Sequence, residues 1–250
     1  MSNLVRDWNE YYGKQDKDPE RKLIDLPKQS HYSLAIQEVS EYEKGSLVLE
    51  AGCGVGQWVF LLQDMGFEVF GVDISAISIG IAMQYRGGSF IIADVRQLPF
   101  RASIFDFIVS FGVVEHFSNS TRAIKEFCRA LRSGGSCLVT VPNSFSFHRF
   151  VKPILNLMRR QDLGYVGYEN FYTPAKLANM MVLAGFDPVN YGLIPGTHLF
   201  GKFYRYVPFF GKYLLQIFEK LSYWIESRQQ IVGSVSYAIG HTSMPPQRSC

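Results

Sequence analysis

Residues 47–56 read Leu-Val-Leu-Glu-Ala-Gly-Cys-Gly-Val-Gly, an apolar run that ends on Glu50 and passes into glycines at alternate positions, Gly52, Gly54 and Gly56. A continuous run of β-forming apolar residues implies a strand buried on both faces. Glycines reach positive φ and leave no side chain between the backbone and a bound molecule. A helix is expected from Gln57 to Met65, offering unpaired N–H groups and a positive dipole end to whatever sits at the turn. The chain is therefore expected to touch a ligand with its backbone at this point.

Several nucleotide-binding classes share a glycine-rich strand-to-helix turn, and spacing separates them. A dinucleotide fingerprint, G-x-G-x-x-G, requires its third glycine at position 57, where Gln57 stands. A P-loop requires Gly-Lys-Ser/Thr, but Gly56 is followed by Gln57 and Trp58. No pyrophosphate-binding device is present at this turn.

Acidic residues recur at the ends of successive apolar runs. The first expected strand stops at Glu50, the second (Phe67 to Val72) at Asp73, and the third (Ser89 to Ala93) at Asp94. At the C-terminal edge of a parallel sheet such carboxylates face one crevice, the place where open α/β sheets bind ligands. Asp73 lies about twenty residues past the glycine turn, where a carboxylate meets ribose hydroxyls. Asp94 would then face the base end of the same ligand. The alternative for Asp73, which precedes Ile-Ser-Ala, is a cap on the next helix.

The ordered set resembles the class I S-adenosylmethionine-dependent methyltransferases, in their small-molecule (type 11-like) branch. Glu50-Ala-Gly-Cys-Gly-Val-Gly56 is similar to the first motif of that family, Val72-Asp73-Ile74-Ser75 to the second, and Ala93-Asp94-Val95 with Leu98-Pro99-Phe100 to the third. Phe105 through Phe117, Leu131-Arg-Ser-Gly-Gly135 before Cys137 to Val141, and Tyr172 through Phe186 are similar to its later strands and turns. The likeness covers most of residues 45–192. It implies a Rossmann-like, doubly wound α/β fold, a seven-stranded and mostly parallel sheet whose last strand is antiparallel. A helical arm over 1–44 would precede a methyltransferase domain over 45–250.

The resemblance also implies roles. Gly52, Gly54 and Gly56 would lie against the methionine moiety of S-adenosylmethionine, with Glu50 orienting the loop and the amino group. Asp73 would accept from both ribose hydroxyls, and Ile74 would pack on adenine. Asp94 would accept from the adenine amino group, the Val95 backbone would read a ring nitrogen, and Phe111 with Gly112 would pass close to the sulfonium. The product would be S-adenosylhomocysteine.

Three stretches outside the motifs are expected to choose the acceptor. Residues 1–44 carry Trp8-Asn-Glu-Tyr-Tyr12 and an expected helix from Gln29 to Glu43; the arm is read either as a lid, with Tyr12 against the substrate, or as a helix packing Trp8, Tyr11 and Tyr12 on the sheet. Residues 142–171 exceed the usual connection length and read as a binding loop, with His148, Tyr168 and Glu169 as substrate contacts. Residues 193–230 include apolar positions at helical spacing, Tyr213, Leu214, Ile217, Leu221, Trp224 and Ile225. That face either packs on the protein itself or a second subunit, or forms an apolar cap that admits a hydrophobic substrate or rests on a membrane surface through 199–225.

A sulfonium methyl donor is already activated, so alignment in a dry site is the main task. A general base is needed only where the accepting atom must lose a proton. His116 is the candidate, with an orienting role as the alternative. Some quinone O-methyltransferases carry Glu-x-x-Glu-His here and are associated with a metal; Gly112 replaces the first glutamate, and no metal is expected.

Composition supports these expectations. Only 19% of the 250 residues are charged, below the rough quarter of an average domain. The four cysteines, Cys53, Cys128, Cys137 and Cys250, form no C-x-x-C pair, which reads as reduced thiols in a cytoplasmic setting. No apolar secretory core opens the sequence and no run has the length of a membrane span. A net charge of +3 is too small to argue for a nucleic-acid partner, and none is expected. The expected partner is a small, hydrophobic or ring-bearing molecule, met by a monomer or homodimer. The alternatives are an RNA methyltransferase and a non-catalytic adenosylmethionine-binding module.

Overall fold

The computed structural model describes residues 2–14, 30–146, 168–194 and 235–243. In chain order the helices and strands begin with α1 (Ser2–Lys14), α2 (Ser30–Val39), β1 (Leu47–Ala51), α3 (Gln57–Asp64), β2 (Glu68–Asp73), α4 (Ala76–Tyr85) and β3 (Ser89–Ile92). They continue with β4 (Phe105–Phe111), a 3-10 turn (Val114–His116), α5 (Ser120–Ala130), β5 (Leu131–Pro142), α6 (Pro174–Ala184), β6 (Phe186–Ile194) and β7 (Val235–Thr242).

The strands make one seven-stranded sheet in the order β3-β2-β1-β4-β5-β7-β6. Strands β1 to β5 pair in parallel, and β7 runs antiparallel to both β5 and β6. The order reverses between β1 and β4, so the crevice above their C-terminal ends is the switch point of the sheet. Glu50, Asp73 and Phe111 stand at or beside those ends.

Burial explains why the central strands read as unbroken apolar runs. On β4, Ile108 joins the cluster containing Leu49, Val72, Phe127 and Val139. Its neighbours Phe107 and Val109 join the opposite cluster with Val48, Val59, Leu62 and Leu138. Both faces are thus covered, and each fully buried side chain of this size contributes about 1.5–3 kcal/mol. Helix α5 buries Ala123, Ile124, Phe127 and Ala130, which recur at helical spacing. Helix α4 starts at Ser75, whose Oγ accepts from the Ser78 N–H, and α6 starts at Thr173 with Pro174 in its first turn and stops at Gly185 in left-handed conformation.

The structure corrects two expectations and the alternative given for Asp73. Helix α2 ends at Val39, not at Glu43. Strand β5 takes in the Leu131 to Gly135 turn, because Leu131 pairs with Phe105 and Ser136 to Pro142 pair with β7. The cap of α4 is Ser75, while Asp73 accepts the Ser75 N–H from outside the helix. His148 and most of the segments 142–171 and 193–230 lie outside the described residues. Among the described residues no helix is long and apolar enough to cross a membrane.

Candidate functional site

The glycine turn folds back on the end of β2. Gly52 and Cys53 donate their N–H groups to the Val72 carbonyl at 2.7 and 2.9 Å. Gly54 donates to Asp73 Oδ2 and Ser75 to Asp73 Oδ1, each at 2.8 Å. Asp73 is only 7% exposed. Burial pushes its carboxyl upward, and these N–H groups pull it back toward the ionised form. The carboxylate therefore holds the loop in shape and also faces a cleft.

That cleft, about 530 Å³ of space open to solvent, is lined by Asp73, Ile74, Asp94, Val95, Phe111 and His116 among others. A second cavity of about 730 Å³ lies over the turn itself, against Glu50, Gly52, Gly54, Gln57 and Trp58. Tyr12, Gly52 and Phe111 line both cavities. The Tyr12 hydroxyl packs on the turn so closely that a Cβ on Gly54 would stand 2.5 Å from it.

Glu50 lies at the floor of the second cavity, 6% exposed, and its Oε2 has no hydrogen-bond partner among the described residues. Burial and then the nearby charge of Asp73 push its carboxyl well above the usual carboxylate range. Gln57 Nε2, on the wall of the same cavity, is likewise buried without a partner among the described residues. An unsatisfied acceptor and an unsatisfied donor facing one space suit a ligand end that carries both a cationic donor and an anionic acceptor.

Asp94 is placed at the cleft but is already engaged. Arg96 donates from Nε to Oδ1 and Oδ2 at 2.9 and 3.1 Å, from Nη2 to Oδ2 at 2.6 Å, and from its backbone N–H to Oδ1 at 2.9 Å. The guanidinium also lies 4.5 Å over the Phe117 ring. Although burial pushes the Asp94 carboxyl up, the Arg96 guanidinium and N–H outweigh it and hold it below the usual range. Asp94 is not the open acceptor that the sequence suggested. Gly56 also differs from expectation: a Cβ there would meet Phe90 at 2.7 Å, so its positive φ and its packing against β3 demand glycine, and it lines neither cavity.

His116 sits in the 3-10 turn after β4. Its Nδ1 lies 2.9 Å from the Tyr168 carbonyl, which can only accept. The proton is thus assigned to Nδ1, and Nε2 of the neutral ring keeps its lone pair. Glu115 Oε1 is 4.0 Å from Nε2, and the Trp8 ring meets the imidazole edge-on at 5.1 Å. Tyr168 turns its ring outward, 58% exposed, and donates to Asn170 Oδ1 at 2.8 Å. Tyr168 and Glu169 line neither cavity.

Helix α1 crosses the cleft with Leu4, Trp8 and Tyr12 turned into it. Their four-residue spacing is a signal available in the sequence. Asn9 and Arg96 carried no such signal. Their partners are set by the meeting of α1 with α4 and by the turn after β3.

Residues 28–191, more than half the chain, match a family model described as a methyltransferase domain. Over 108 residues the chain is 38% identical to a Bos taurus protein named "Probable tRNA methyltransferase 9B", covering 42% of this chain and 23% of that protein. It is 27% identical over 173 residues to a probable S-adenosylmethionine-dependent methyltransferase of Mycolicibacterium smegmatis, covering 67% of this chain and 64% of that one. The chain thus spans less than two thirds of the length of these curated relatives. Its fold is similar to that of a Haemonchus contortus phosphoethanolamine N-methyltransferase 2 solved with S-adenosylhomocysteine, with a TM-score of 0.60, 13% identity, and 96% of this chain and 57% of that one covered.

Proposed function

The chain belongs to the methyltransferase-domain family, and from that premise we propose that it transfers a methyl group from S-adenosylmethionine to a small, hydrophobic or ring-bearing acceptor that sheds a proton. The observation that carries the reading is Glu50: a buried carboxylate whose Oε2 lacks a partner among the described residues, under a glycine turn whose shape Asp73 holds. A bound amino-acid ammonium satisfies that oxygen, and ribose hydroxyls satisfy the remaining lone pairs of Asp73. Ile74 and Val95 wall the space for a flat base. The donor supplies an electrophilic methyl group when bound there and departs as S-adenosylhomocysteine.

The protein's own work is alignment, exclusion of water and removal of a proton. Trp8, Tyr12, Phe111 and Phe117 surround the cleft with rings that keep water from the transfer. His116, with its proton held on Nδ1 by the Tyr168 carbonyl, takes the acceptor's proton on Nε2. Glu115 then stands close enough to stabilise the resulting imidazolium.

A second reading, methyl transfer to RNA, is favoured by the 38% identity to a relative named as a tRNA methyltransferase, which weighs against the expectation of no nucleic-acid partner. A cytoplasmic location suits both. Calorimetry with S-adenosylmethionine and S-adenosylhomocysteine tests the site. Incubation with methyl-labelled donor and fractionated cell extract tests the acceptor: label in the small-molecule fraction supports the first reading and label in RNA the second. Binding without turnover would leave a non-catalytic module.

A further inference from the structure

Helix α1 is tied to the rest of the protein at one polar point. Asn9 Oδ1 accepts from Ser75 Oγ at 2.7 Å and from the Ile77 N–H at 3.4 Å. Among the described residues, these are the hydrogen bonds that leave α1 for another element; the ion pairs Arg6–Asp7 and Lys14–Glu10 stay within the helix. Its apolar hold is partial, since Leu4, Trp8, Tyr11 and Tyr12 are each half-buried. A helix held this way opens locally at low cost.

The anchor point matters because of what lies behind it. Ser75, the cap of α4, donates its Oγ–H to Asn9 Oδ1 and its N–H to Asp73 Oδ1, and Asp73 Oδ2 accepts from Gly54. Tyr12, three residues beyond Asn9, returns to the same Gly54 with its hydroxyl. Helix α1 therefore grips both ends of one run, Asn9–Ser75–Asp73–Gly54. Tyr12 lines both cavities, so it would lie against a ligand seated across the two.

We propose that Asn9 is a positioning residue that fastens α1 across the cleft and sets how fast the spent donor leaves; this rests on the methyl-transfer reading. Seating of a ribose on Asp73 and closure of α1 would reinforce one another, because both act on the same short hydrogen-bonded run. Product release through such a cover commonly limits turnover.

The test compares wild type with Asn9→Ala and Asn9→Asp. An aspartate oxygen still accepts from Ser75 Oγ and the Ile77 N–H, and its charge suits the N-terminus of α4. Stopped-flow displacement of S-adenosylhomocysteine is expected to be roughly tenfold faster in Asn9→Ala, the loss of one or two hydrogen bonds, and near wild type in Asn9→Asp. Amide hydrogen exchange of the ligand-free proteins is expected to quicken over residues 2–14 in Asn9→Ala and recover in Asn9→Asp. Unchanged exchange in β1 and β4 would report an intact core. Wild-type release and wild-type exchange of α1 in Asn9→Ala would overturn the proposal. If wild type binds no S-adenosylhomocysteine, the methyl-transfer reading fails, and the donor-release part of the proposal fails with it. The exchange of α1 still decides whether Asn9 is the fastener.

Discussion

Replacing Glu50 by Gln exchanges a buried carboxylate for a neutral group of the same shape. The folded protein holds the Glu50 proton to higher pH than the unfolded chain, which releases it near an ordinary value of about 4.3. Stability from this group is therefore fully present below about pH 4.3 and is lost as pH rises through the raised folded value. Above that value an ionised carboxylate stands 6% exposed with an oxygen unpaired among the described residues, which costs about 1–3 kcal/mol. Glu50→Gln is expected to relieve this, raising the Tm of the ligand-free protein at pH 8 by about 2–12 °C, at roughly 2–4 °C per kcal/mol for a chain of this size. The variant's Tm should also fall less steeply from acid to neutral pH. The same substitution removes a charge-assisted bond to an incoming ammonium, worth about 1.5–3 kcal/mol, so the donor and its product should bind about 10- to 150-fold more weakly. Thermal melts across pH and calorimetry with S-adenosylhomocysteine read both effects. A lower Tm at pH 8, or wild-type affinity in the variant, would refute the placement of Glu50 as an acceptor reserved for a cation.

Asp73→Ala should weaken donor binding by more than about 100-fold and destabilise the fold by roughly 1–3 kcal/mol, because the buried Gly54 and Ser75 N–H groups lose their acceptor; calorimetry and denaturant melts check the pair. His116→Ala should leave donor affinity within about threefold of wild type while turnover falls by about 10²–10⁴-fold, as measured by product formation at saturating donor. Equal loss of donor binding in the His116 and Asp73 variants would sink the division of roles. Arg96→Ala should tighten donor binding by about two- to fivefold, since an adenine amino group no longer has to displace a guanidinium from Asp94, and should flatten the salt dependence of the affinity; weaker binding in the calorimeter would show Arg96 to be a support and not a competitor.

Much of the site was legible because its parts are written locally. The apolar runs, the alternating glycines and the acid after each run each occupy fewer than ten residues, and their order along the chain places them on one sheet edge. Asp73 is found where the spacing puts it, although its first partners are the loop's own N–H groups. Asp94 shows the limit of such reading. Arg96 is two residues away and visible in the sequence, yet nothing there says that its side chain turns back to take both oxygens and not out to solvent. The packing of Phe117 under the guanidinium decides that.

By itself the sequence determined the sheet, the switch point at β1 and β4, and the three strand-end acids, because burial on both faces and backbone geometry act over neighbouring residues. Tertiary structure alone decided which of those groups remain available. Gly56 is spent on packing against Phe90, Asp94 is spent on Arg96, and Glu50 keeps an acceptor that no described group satisfies. It also decided that Asn9 meets Ser75 across 66 residues of chain. Hydrogen-bond satisfaction is a matter of distances of about 3 Å, and only the packed helices and strands set those distances.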